Sequence, residues 1–201
     1  MSDAVIAKPW ELVSHHVSHR VNVLQSQALD RNATGRSAAL GQLSELRRST
    51  ADDPGDPRVW PSTFEGLPAE LAGQDYEPSN AERAIHSALV LFAIHAQSAT
   101  VPRHVPGRRL GLAIGELAGD NRDDGPTARR FHAFATATTW SQRLHHLRGL
   151  VTLLRAHDIP LDYGSLAADL YRLQRPGGID KVRLRWGRDF HFFKTPTTEE
   201  N

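Results

Sequence analysis

The sequence predicts an all-α fold, because apolar residues recur at helical spacing along most of the chain and a strong capping box opens a helix at its middle. Only one short stretch alternates like a strand. Pro9 suits a first helical turn, where its missing amide is no loss. Trp10, Val13, Val17, Val21 and Leu24 follow at three- and four-residue spacing and mark one apolar face. A second helix is expected over Arg36–Arg48, with Leu40 and Leu43 in step. Thr50–Pro61, rich in Asp, Pro and Gly, reads as a loop. Trp60, Phe64, Leu67 and Leu71 suggest short helical pieces, broken at Pro68 and Gly73.

The capping box is Ser79-Asn80-Ala81-Glu82, in which each outer side chain satisfies the other residue's free backbone donor. Behind it Ile85, Ala88, Leu89, Phe92 and Ala96 form a core stripe. Two prolines make Ala99–Pro106 a loop, dividing the chain into helical units over 9–98 and 107–193. In the second unit helices are expected over Leu110–Leu117 and Thr127–Thr138, then a long one capped by Ser141, then one over Asp162–Gln174. Lys181–Trp186 alternates basic and apolar residues as a strand does, yet Ile179, Val182, Trp186 and Phe190 also fit a helical stripe. A strand there has no partner and is unstable alone, so we read a helix.

Length and composition bound the function. At 201 residues the chain can bury a real core, and 39% hydrophobic with 23% charged residues argues against disorder. The absence of cysteine removes disulfides, thiolate zinc sites and cysteine nucleophiles, and suits a reducing cytoplasm. No apolar run precedes Pro9, and the stretch around Ala88–Ala96 is too short to span a bilayer. A soluble, cytoplasmic protein without membrane attachment is expected.

Catalytic signatures are missing. Gly107-Arg108-Arg109-Leu110-Gly111 lacks the spacing and ending of a phosphate-binding loop, and neither a nucleophile elbow nor a His-Glu-x-x-His pair occurs. His15/His19 and His145/His146 lack the further ligands a metal site needs. Asp52/Asp53 and Asp123/Asp124 lie in turn-rich loops. No enzyme, catalytic residue, metal or cofactor is expected.

The formal charge of +1 conceals an uneven distribution. Ser49–Glu82 carries eight acids (Asp52, Asp53, Asp56, Glu65, Glu70, Asp75, Glu77, Glu82) and one base, Arg58. Tyr171–Lys194 carries seven bases and two acids. Such asymmetry points to a basic surface on a nearly neutral protein. Arginine supplies 21 of the 24 bases, which fits bidentate phosphate contacts and fits genomic base composition equally.

In the second half the residues become distinctive. His146-Leu147-Arg148-Gly149-Leu150-Val151, Ile159-Pro160-Leu161-Asp162-Tyr163, Asp169-Leu170-Tyr171 and Val182-Arg183-Leu184-Arg185-Trp186-Gly187-Arg188-Asp189-Phe190 resemble the CasB family. CasB is the small subunit of the type I-E CRISPR Cascade effector, an antiviral defence complex. Leu46-Arg47-Arg48, Glu82-Arg83-Ala84-Ile85-His86, Gly107–Gly111 and Ala128-Arg129-Arg130-Phe131 match the family in order, so the resemblance covers roughly residues 10 to 193. It implies an all-α fold of two packed helical bundles with no sheet. It implies a non-catalytic role: supporting the crRNA–target DNA heteroduplex and holding the displaced non-target strand, so that the R-loop persists. The implied partners are crRNA, both DNA strands, the Cascade subunits CasA and CasC, and a second copy of the chain. The long acidic stretch departs from the family pattern and leaves the N-terminal packing open.

Contacts to phosphate carry no sequence information, which suits a complex programmed by RNA. The candidates for such contacts are Arg47, Arg48, Arg83, Arg108, Arg109, Arg129, Arg130, Arg148, Lys181 and Arg185, expected to form a fixed row. Arg129 and Arg130 precede a core-facing Phe131 and can point outward, while Arg148 flanks the Leu144–Leu147–Val151 stripe. Arg108 and Arg109 open a helix, where free amides also favour an anion. Arg47 and Arg48 end one, where they also complement its dipole. Trp186 is read as core. The competing readings are a helical spacer whose bases meet acidic partner proteins, a helix-turn-helix regulator and an unrecognised helical enzyme.

Overall fold

The computed structural model describes residues 7–74 and 76–192, so Asp75 and Lys194, counted above, lie outside the described residues. Among these the chain forms nine α-helices and no strand beyond a single parallel bridge between His104 and Leu161. The helices are α1 (Pro9–Leu29), α2 (Arg36–Arg48), α3 (Trp60–Phe64), α4 (Asn80–His95), α5 (Leu110–Ala118), α6 (Pro126–Thr136), α7 (Trp140–Ala156), α8 (Tyr163–Leu173) and α9 (Gly178–His191). None is long and apolar enough to cross a membrane.

Three of the nine helix starts carry a side-chain cap, at Ser79, Thr139 and Asp162. Ser79 Oγ accepts the Glu82 amide at 3.0 Å and the Glu82 carboxylate accepts the Ser79 amide at 2.7 Å, completing the expected box. The start of α7 differs from expectation. Thr139, not Ser141, accepts the Gln142 amide, so the helix begins two residues earlier. The 50–61 loop also closes early, with a 3-10 turn over Pro57–Val59 leading into α3 at Trp60. Residues 178–191 are helical because their neighbours offer apolar helix faces: Val182, Trp186 and Phe190 pack inward at four-residue spacing.

The connection between α4 and α5 lies where the sequence divides, but α8 packs against both α1 and α4, so one core runs through both halves. Gly164 permits the closest approach: a Cβ there would lie 2.0 Å from Ser18 Oγ on α1. Gly111 does the same between α5 and α9, with a virtual Cβ 2.6 Å from the Trp186 carbonyl. Phe131, Phe134, Trp186 and Phe190 fill the space between α6 and α9, with Phe134 and Trp186 centroids 4.7 Å apart.

Helix α4 is buried on nearly every side from Ala84 to His95, so its polar groups need internal partners. His86 Nε2 donates to the Thr50 carbonyl at 2.9 Å, which leaves Nδ1 to accept from Thr63 Oγ1 at 3.2 Å. Ser87 Oγ donates to the Ala51 carbonyl at 2.6 Å. These bonds pin both ends of the acidic 50–63 segment to the core. At the other end of α4, His95 Nδ1 and the Tyr163 hydroxyl are 2.9 Å apart. The Tyr163 amide donates to His104 Nδ1 at 3.1 Å, tying α4, α8 and the connecting loop together.

Two predictions follow from this core. Ser79→Ala removes the cap and also the bond from Ser79 Oγ to the Leu71 carbonyl, so urea denaturation should show a loss of about 1–2 kcal/mol. An unchanged midpoint would count against the cap. Burial pushes the His95 pKa down to about 4 from 6.5, with Arg103 lowering it further and the Ile159 carbonyl opposing. Burial also lowers His16, His86 and His104. Folded-state pKa values below the unfolded value mean that the unfolded chain takes up protons first. Stability is therefore complete above pH 6.5 and is lost as pH falls towards 4. The His95 share is about 3 kcal/mol, from a shift of 6.5 to about 4 at about 1.4 kcal/mol per unit. Urea titrations across this range should show a shallower acid loss for His95→Asn than for the parent chain; parallel curves would contradict the assignment.

Candidate nucleic-acid interface

Three of the expected arginines meet although about a hundred residues of chain separate the first from the last. The last turn of α2 supplies Arg47 and Arg48, the exposed side of α7 supplies His145 and Arg148, and α4 runs between them. Together they line an open recess of about 350 Å³, floored by Leu91, Ile94 and Leu144. Arg47 is half-buried and donates to the Ala93 carbonyl at 3.5 Å, and it borders both this recess and a smaller cavity beside α1. Burial, and secondarily Arg48, lowers its pKa, yet a guanidinium remains cationic near neutrality. Arg48 is largely in solvent and lies 3.0 Å from Glu45. Arg148 is exposed and makes no hydrogen bond or ion pair through its side chain among the described residues. Asp52 is the one acid among the recess's lining residues.

The other candidates are placed differently. Arg83 pairs with Glu77 at 3.3 Å, since Glu82 is occupied by the capping box and the Gly73 amide. Arg129 and Arg130 are exposed beside the buried Phe131 as expected, and Arg129 donates to the Asp124 carbonyl. Arg108 pairs with Glu116. Arg109 holds Asp189 through two bonds of 2.8 and 2.6 Å, and that hydrogen bonding raises its pKa. Arg185 pairs with the buried Asp169, whose second oxygen accepts from Trp186 Nε1 at 2.8 Å. Lys181 is exposed.

The expected single row is therefore replaced by groups. Arg47, Arg48 and Arg148 share the recess between α2 and α7, whereas Lys181 and Arg185 line a second groove beside α1. Arg109 and Arg185 face carboxylates that are themselves buried, Asp189 at 7% and Asp169 at 2% exposure, and so hold α9 in place. Freeing either arginine for phosphate would strand a buried carboxylate, which is costly. Sequence reasoning weighed His145 only as a metal ligand and did not place it beside the arginines. The signal was its position three residues before Arg148, on the same helix face. His15 and His19 are both less buried than His16 between them; among the described residues no three His or acidic side chains converge as a metal site.

Comparison with known proteins agrees with this architecture. The family model for CRISPR-associated protein Cse2 matches residues 42–191. The crystal structure of CasB from Thermobifida fusca is 33% identical, with a TM-score of 0.75, covering 90% of this chain and 98% of that one. A Cse2-family CRISPR-associated protein from Thermus thermophilus is 26% identical with a TM-score of 0.62, covering 87% of this chain and 97% of that one. A chain of a CRISPR RNA-guided surveillance complex shares the fold at 22% identity and a TM-score of 0.63, covering 89% of this chain and 95% of that one. No curated protein matches the sequence. With three-quarters of its length matched by the family model and 90% of it covered by CasB from Thermobifida fusca at 33% identity, the chain belongs to the Cse2 (CasB) family of CRISPR-associated proteins.

Proposed function

We infer that this chain is a non-catalytic subunit of a type I-E Cascade complex in the cytoplasm, binding nucleic-acid backbone without sequence preference. The observation that carries the reading is the convergence of Arg47, Arg48 and Arg148 on one open recess. Three guanidinium groups around a shallow trough with a short apolar floor suit a sugar–phosphate chain lying along it, because phosphate contacts position a strand without reading its bases. Arg129 and Arg130, exposed on α6, extend the basic surface available to such a strand. Exchange of DNA pairing for guide pairing is nearly balanced in energy, so a few backbone contacts suffice to prolong the open R-loop. In that setting the partners are crRNA, the target and non-target strands, CasA, CasC and a second copy of the chain.

The spacer reading draws on a specific observation too. Five of the ten candidate cations, Arg48, Arg83, Arg108, Arg109 and Arg185, already face a carboxylate. For Arg109 and Arg185 the partner is buried, and we assign these two to the scaffold rather than to phosphate.

Salt titration of binding to a fluorescent single strand separates the readings. The isolated chain should bind with a Kd of roughly 10⁻⁴ to 10⁻⁶ M, and affinity should fall with salt by about 0.7 log units per decade for each phosphate neutralised. Arg47→Ala with Arg148→Ala should lower that slope by about 1.4, and Arg130→Ala by about 0.7, on the same scale. Arg109→Ala should leave the slope alone and instead cost about 1–2 kcal/mol of stability in urea, through the stranded Asp189. A slope of zero, or one that the recess variants do not change, would favour the spacer.

A further inference from the structure

The second groove differs from the recess in kind. It lies where the start of α1, the end of α8 and the first turns of α9 meet, and encloses about 460 Å³, within the range of about 300–1,000 Å³ common for ligand pockets. Trp10, Tyr171 and Val182 supply its apolar lining, and Arg172, Arg175 and Lys181 stand around it. Two of these cations are held against rings. The Arg172 guanidinium sits 4.9 Å from the Trp10 ring centroid, and Arg175 sits 5.8 Å from that of Tyr171. Lys8 Nζ adds a second cation 5.4 Å from the Trp10 ring.

We propose that this groove docks an acidic peptide segment of a partner protein, seating one large apolar side chain between flanking carboxylates. A nucleic-acid strand fits less well. Sequence-tolerant binding of single strands stacks bases on open aromatic faces, but cations already lie over Trp10 and Tyr171, and Tyr171 is buried. What remains accessible is an apolar depression with a charged rim, the arrangement of a protein interface whose anchor is surrounded by polar contacts. The rim is complementary to acids. Arg172 and Arg185 share Asp169, whereas Arg175 and Lys181 have no ion-pair partner among the described residues. Holding Arg172 and Arg175 against rings also removes rotamer freedom before binding, which reduces the ordering cost on association.

The proposal stands apart from the recess, and one experiment keeps them distinct. Fluorescence anisotropy would follow a short fluorescein-labelled peptide bearing one Trp flanked on both sides by Glu. Control peptides replace Trp with Ala, or every Glu with Gln, and a labelled single-stranded oligonucleotide is titrated in parallel. Saturable binding of the Glu/Trp peptide is expected, weakened about tenfold or more in either control. The variant Arg175→Glu alters one exposed side chain that is not among the candidate phosphate contacts; it should weaken peptide binding about tenfold or more, leave the oligonucleotide affinity unchanged and keep the parent's circular dichroism. Absence of peptide binding, or binding indifferent to the variant, overturns the proposal. Loss of oligonucleotide affinity in the variant overturns it as well, by assigning the groove to nucleic acid.

Discussion

Burial of α4 on nearly every side from Ala84 to His95 is the constraint from which the rest of the molecule follows. A helix surrounded by protein must satisfy each polar side chain internally, and this one carries His86, Ser87 and His95. Those three side chains account for the arrangement around it: His86 and Ser87 hold the 50–63 segment, and His95 meets Tyr163 on α8. With α4 fixed, α2 and α7 pack on different sides of it, and the recess lies over the helix between them. The site is thus a consequence of core packing, completed by the start of the segment that α4 pins, residues 49–52.

The same packing sorts the arginines. Those whose guanidinium meets a buried acid, Arg109 with Asp189 and Arg185 with Asp169, serve the scaffold. So does Arg103, itself buried and paired with Asp158. Those on outward faces over an apolar floor remain open to ligands. A nearly neutral protein can present basic surface in this way because its acids are used elsewhere: Asp56 holds Arg58 beside the 3-10 turn, and Glu65 holds Arg20 at 2.9 Å. The acidic stretch is anchored through its backbone carbonyls at Thr50 and Ala51 and through Thr63, as well as through the Glu65 ion pair to α1.

Much of the fold was legible in the sequence because helix signals are local. Apolar spacing marked α1 and α9, and the Ser79–Glu82 box marked the start of α4. Thr139 and Ser141 are both competent caps, and only the path of the chain after α6 selects the earlier one. The sites were legible in residue type but not in grouping. Arg109 and Asp189 lie 80 positions apart, and Arg47 and Arg148 about a hundred, so nothing local joins or separates them. The groove beside α1 was invisible for the same reason: Trp10 reads as core, and the cation that covers it comes from α8.

The central claim is that Arg47 and Arg148 face a sugar–phosphate chain across the recess. R-loop lifetime on a matched target tests it most directly, with the complex assembled once from the parent chain and once from the Arg47→Ala, Arg148→Ala variant. The account predicts equal assembly and guide loading, with a clearly shorter R-loop lifetime for the variant. Equal lifetimes at equal occupancy would contradict it.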